Sequence, residues 1–119
     1  MKYLGIAALA IFASTASALC HDDYTDALYD KNKAYQAARD ACNEFKGIFG
    51  AYKSKSKCAL GSDGKGYDIT VRHVKDGDRS LGADECYDGV QKEIHGCERG
   101  GVSGYDNWEY GIWATKVCS

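Results

Sequence analysis

Residues 24–46 read YTDALYDKNKAYQAARDACNEFK, and this stretch decides the architecture. Leu28, Tyr35, Ala38, Cys42 and Phe45 recur at steps that place them on one face of a helix. Ala34, Ala37 and Ala41 flank that stripe and allow a neighbouring element to approach closely. Asp22, Asp23 and Asp26 crowd the start, where the helix dipole favours negative charge. Lys46 suits the last turn, and Gly47 supplies the left-handed residue that commonly ends a helix. A helix with one apolar face needs a second layer to cover it.

Downstream, Ile48–Tyr52 and Ser56–Leu60 read as short strands, and the glycine-rich stretch 61–66 as a turn. Tyr67–Val74 alternates, with Tyr67, Ile69 and Val71 on one face and Asp68, Thr70 and Arg72 on the other, which predicts a half-buried strand. Lys75–Asp78 is a second turn. Ala83–His95 predicts a second helix, with Asp84 and Glu85 in its first turn, Cys86, Val90 and Ile94 on one face, and Gly96 at its end. Gly89 inside it costs about 1 kcal/mol relative to alanine, which points to a close approach to the sheet. Ser103–Asn107 reads as a loop, and Trp108–Cys118 as an aromatic strand. The expectation is an α+β fold: a two-layer α/β sandwich, with an antiparallel sheet of about four strands and two helices on one face.

Upstream, Met1-Lys2-Tyr3, the apolar run Leu4–Phe12 and Ala16-Ser17-Ala18 have the form of a secretory signal peptide over residues 1–18. That run is shorter than the ~20 apolar residues a membrane span needs, and no later stretch qualifies. The remainder, 19–119, is a single domain and is expected to be secreted. Loss of Lys2 from the 15 basic residues leaves 14 against 17 acidic, a net charge of −3 that argues against a nucleic-acid binder. Cys20, Cys42, Cys58, Cys86, Cys97 and Cys118 all follow the leader. An even number of cysteines in a small exported chain predicts three disulfides, each contributing ~2–4 kcal/mol. No metal site or cofactor is expected, because there is no C-x-x-C pair and the histidines are scattered. Eleven residues separate Cys86 from Cys97 along a helix, about 16 Å at 1.5 Å per residue, too far for a bridge. Cys20 and Cys42 flank most of the first helix and are excluded as well. The bridges are therefore expected to tie helices to strands or to the termini.

The candidate chemistry divides unequally. His21, His73 and His95, with Arg72 and Glu85 or Glu93, are the groups a small ribonuclease would recruit. Arg72 and His73 are adjacent in a strand, however, and so face opposite ways, while His95 suits a helix C-terminus. Asp84 and Asp88 read as a solvated helix face, and no catalytic residue is assigned. Lys53, Lys55 and Lys57 alternate with serines, which fits either an anionic-ligand patch or an edge strand guarded by lysine, and the latter is favoured. The aromatic cluster says most. Tyr105, Trp108, Tyr110 and Trp113 stand beside Asp106, Asn107 and Glu109. In a strand, Trp108, Tyr110 and Ile112 share one face and Glu109 and Trp113 the other. Sugar rings present flat C–H faces that stack on aromatic rings, while Asp and Asn hydrogen-bond the hydroxyls. Tyr105, Asp106, Asn107, Trp108, Glu109, Tyr110 and Trp113 are therefore the candidate glycan-binding residues, with core packing as the alternative role for both tryptophans.

The block from Glu85-Cys86-Tyr87-Asp88-Gly89-Val90 through Ile94-His95-Gly96-Cys97-Glu98-Arg99-Gly100-Gly101, with Trp108 and Cys118 after it, resembles the fungal secreted glycan-binding proteins of the "Y-three" type. Ala41-Cys42, Gly47, Phe49 and Cys58 agree more loosely. The chain departs from that pattern before its last cysteine, where Ala114-Thr115-Lys116-Val117 stands in place of a nearby proline or glycine. The resemblance implies a disulfide-bonded α/β sandwich that binds oligosaccharide or glycoprotein without cleaving it. The alternatives are a killer-toxin-like or necrosis-inducing effector acting on a membrane or protein target, and the ribonuclease.

Overall fold

The computed structural model describes residues 17–21, 27, 28, 30–60 and 66–115. Along the chain come β1 (Ser17–Cys20), α1 (Lys31–Phe45), β2 (Gly47–Phe49), β3 (Ser54–Leu60), β4 (Gly66–His73), β5 (Arg79–Leu81), α2 (Ala83–Gly96), β6 (Gly100–Tyr105) and β7 (Trp108–Thr115). Five strands form an antiparallel sheet in the order β1-β6-β7-β4-β3, and β2 and β5 pair separately as a short ribbon. The fold is α+β with two helices, as expected, but the sheet has five strands rather than about four.

The inner face of the sheet follows from the alternation in β4 and β7. Tyr67, Ile69, Val71 and His73 stand opposite Ala114, Ile112, Tyr110 and Trp108, and all eight are buried. Both helices pack on this face. The inner stripe of α1 is mostly small: Ala34, Ala37, Ala38, Ala41 and Cys42, closed by Phe45. α2 contributes Cys86, Gly89, Val90 and Ile94. Full burial of each Ile, Val, Leu or Phe contributes about 1.5–3 kcal/mol, so this layer drives folding.

Three expectations are corrected. The first helix starts at Lys31 rather than Tyr24, because Asp30 is extended (φ −139°, ψ 108°) and its carboxylate accepts from the Asn32 and Lys33 amides. Just before it, Leu28 N–H donates to Glu98 O at 3.0 Å, a tertiary bond no helix would leave open. Asp22, Asp23 and Asp26 lie outside the described residues. Second, Ser103–Asn107 is not a loop, since β6 runs through Tyr105 and only Asp106 and Asn107 turn the chain. Its glycines read as loop residues, yet they allow close neighbours: a side chain on Gly101 would meet Leu19 O at 2.6 Å. Third, β2 ends at Phe49, and Tyr52 adopts a positive φ of 59° in the turn beyond it.

Cys42–Cys86 and Cys20–Cys97 are disulfide-bonded, with Cα separations of 5.6 and 5.3 Å. Both pairings excluded from the sequence are indeed not made. The expectation that every bridge ties a helix to a strand or terminus fails, because Cys42–Cys86 joins α1 directly to α2. The alanine stripe brings the two helices close enough for that. Cys118, and with it the third expected bridge, lies outside the described residues.

The lysine strand β3 is an edge of the sheet, as the favoured reading required. Lys55 and Lys57 stand opposite Val71 and Ile69, so they point inward beneath the end of α1. Lys55 Nζ donates to Phe45 O at 2.9 Å and lies 4.2 Å from the Phe49 ring centroid, while Lys57 pairs with Glu44. Lys53 precedes the strand and is exposed.

The Cys42–Cys86 bridge closes a loop of 44 residues, for which chain entropy gives about 4 kcal/mol. Replacing both cysteines by alanine is expected to lower unfolding free energy by about that amount in urea titration. Unchanged stability would show that the helix pair holds without its covalent tie.

Candidate functional site

An open pocket of about 200 Å³ lies where the β6–β7 hairpin meets α2. Tyr105, Asp106, Asn107, Trp108 and Tyr110 line it from the hairpin, and Glu85, Asp88, Gly89 and Lys92 from the helix. Five of the seven residues nominated from the sequence therefore converge here. Glu109 and Trp113 do not, because they occupy the opposite face of β7.

The hairpin sets one wall. Tyr105 pairs with Trp108 across the two-residue turn, whose first residue, Asp106, adopts a positive φ of 53°. Aspartate tolerates this conformation better than most residues. Asn107 Nδ2 donates to Asp106 Oδ2 at 3.2 Å, and Asn107 O accepts from the Val74 amide, so the turn is held to the end of β4. Trp108 is 3 % exposed, its ring set edge-on to Phe49 at 5.0 Å. It is a core residue with one margin on the pocket. Its Nε1–H has no acceptor among the described residues, and neither has His73 Nε2 a donor. An unpaired buried group costs about 1–3 kcal/mol.

The helix sets the other wall. Glu85, Asp88, Gly89 and Lys92 stand at i, i+3, i+4 and i+7, one stripe of α2. Gly89 is the glycine whose cost in the helix predicted a close approach, and a Cβ there would overlap the Tyr110 ring. Tyr110 slides beneath the helix through this gap. Its hydroxyl is pushed well above the ordinary tyrosine range, first by burial and then by Glu85 and Asp88. Lys92 Nζ lies 3.4 Å from Asp88 Oδ2 and 4.9 Å from the Tyr105 ring centroid. Three carboxylates (Glu85, Asp88 and Asp106) and one ammonium thus line the pocket.

Glu93 supports this wall from behind and is 1 % exposed. Ser103 Oγ donates to its Oε1 at 2.7 Å, and Tyr105 OH to its Oε2 at 3.3 Å. Burial raises its carboxyl above the ordinary 4.5, against the opposing pull of the two hydroxyls. Glu93 fixes the Tyr105 ring at the pocket rim. The sequence alone offers Glu93 only as a ribonuclease candidate, although its position, seven residues after Cys86 and three after Val90, is that of a core-facing residue.

The other nominated groups are dispersed. His73 is 1 % exposed, and its Nδ1 donates to Gly50 O at 3.1 Å; Arg72 is exposed on the opposite face. His95 is exposed at the end of α2, and Asp84 pairs with Arg39 at 3.3 Å. His21 Nε2 donates to Ile112 O at 3.0 Å, and its ring stacks on Trp113 at 4.8 Å. The Trp113 indole lies over Gly111, where a Cβ would meet it at 2.7 Å. Among the described residues no helix is long and apolar enough to cross a membrane, and no cluster suited to a metal ion is found.

Searches against models of known protein families and against curated proteins found no match.

Two variants probe the pocket walls. Gly89→Ala gains about 1 kcal/mol of helix propensity but overpacks Tyr110 at a cost of roughly 1–3 kcal/mol, so a net loss of up to about 2 kcal/mol is expected in urea unfolding. Equal or higher stability would mean that Tyr110 yields without strain. For Glu93, a carboxyl raised on folding stabilises the fold fully below its unfolded value and loses that contribution as pH rises through the folded value. Glu93→Gln removes this titration, so its stability relative to the parent should increase as pH rises above 4.5. A difference independent of pH would rule the burial effect out.

Proposed function

We propose that this protein is a secreted, non-catalytic glycan-binding protein of lectin-like character, released after cleavage behind Ala18, which leaves Leu19 and Cys20 of β1 on β6, and that the hairpin–helix pocket is its binding site. The observation that carries the reading is the convergence of Tyr105, Asp106, Asn107, Trp108 and Tyr110 on one open pocket. Tyr105 is half-buried and offers ring surface for the C–H face of a sugar. Asp106 and Asn107 align each other and present oxygen and nitrogen for hydroxyl groups. The resemblance to fungal "Y-three" glycan-binding proteins supports the same class. The non-catalytic reading draws on the burial of His73 and its separation from Arg72 by the thickness of the sheet.

A second reading, an effector directed at a membrane or protein target, draws on the sheet face that neither helix covers. There Leu19 is 69 % exposed, and Val102 and Trp113 lie on the same side.

A glycan array with the oxidised protein tests the first reading, and silence across a broad array would overturn it. On a glycan that binds, Tyr105→Ala and Asn107→Ala are each expected to weaken affinity about tenfold, a loss of ~1.4 kcal/mol. Loss with Trp113→Ala and retention with Tyr105→Ala would instead move the site to the face that neither helix covers.

A further inference from the structure

Resting on the pocket as a glycan site, we infer that its ligand carries a primary ammonium: a saccharide containing an amino sugar whose nitrogen is not acetylated. Three features of one pocket point to that charge. The pocket sets Glu85, Asp88 and Asp106 against Lys92 alone, so an approaching cation is drawn in and an acidic sugar is repelled.

Tyr110 is only 3 % exposed and lines the pocket. The edge of its ring next to the hydroxyl lies under Gly89, and Glu85 and Asp88 line the same pocket. A tyrosine hydroxyl keeps lone pairs that can accept from an N–H donor.

The third feature is Lys92 itself. Its ammonium rests between the Asp88 carboxylate and the Tyr105 ring, the combination of anion and aromatic face that favours a cation. The protein thus satisfies its own pocket with a lysine on a flexible stem. That pair is solvent-exposed and weak, so a ligand ammonium can replace it. Lys92 is a displaceable stand-in, while Glu85, Asp88, Tyr105 and Tyr110 form the seat.

The test compares three tetrasaccharides by titration calorimetry with the oxidised protein: glucosamine, N-acetylglucosamine and glucose oligomers, with a tetralysine peptide alongside. At about pH 6 and low salt, where screening is weak, the glucosamine oligomer should bind about tenfold more tightly than its acetylated counterpart. That preference should shrink as salt rises. Lys92→Met should strengthen glucosamine binding by removing the competitor, and Glu85→Gln with Asp88→Asn should abolish the preference. Equal affinity for acetylated and unacetylated oligomers would overturn the inference and leave the glycan reading standing. Weaker glucosamine binding in Lys92→Met would overturn it too, by making Lys92 a ligand contact. Tighter binding of tetralysine than of any saccharide would assign the pocket to basic peptides instead. Failure of every saccharide at the pocket would remove the glycan reading itself.

Discussion

Everything in this molecule depends on how α2 is held against the sheet. Cys86, near its start, is bonded to α1, and Cys97, just past its end, to β1. Between those ties the helix lies so close to β7 that only glycine is accommodated at position 89. The approach admits Tyr110 beneath the helix and aligns the stripe of Glu85, Asp88 and Lys92 with the hairpin turn. A helix secured at one end alone would be free to pivot, and the pocket between it and the hairpin would have no fixed width.

Much of this was legible in the chain. The alternation of β4 and the spacing of α2 are local patterns of apolar residues, and local patterns survive folding. The two faces of β7 were readable for the same reason, since Trp108, Tyr110 and Ile112 alternate with Glu109 and Trp113. The glycine at 89 announced its own close contact. What escaped was set by tertiary partners. β6 is rich in glycine and becomes a strand because β1 and β7 supply hydrogen bonds on both sides. The start of α1 was misplaced by seven residues because Asp30 caps the helix more effectively than a row of aspartates extends it. The helical half of the pocket was missed because Glu85, Asp88 and Lys92 form an ordinary solvated stripe until a hairpin is set opposite.

The nominated aromatic residues divide by the pleat of one strand into two surfaces of different character. On the inner side the rings are fixed by packing and meet charged groups at a recess. On the outer side Trp113 lies flat over Gly111 with His21 stacked against it, on a face that neither helix covers. The inner surface is concave and polar at its rim, whereas on the outer one Asp68 stands directly opposite Trp113.

The inward lysines of β3 have an effect that reaches beyond the single molecule. A second chain aligning itself with that margin would have to lie against two ammonium groups already engaged beneath α1, with little freedom to turn aside. Strand-by-strand growth into fibres is thereby discouraged on this flank, and the safeguard rests on side chains also needed to finish the helix end.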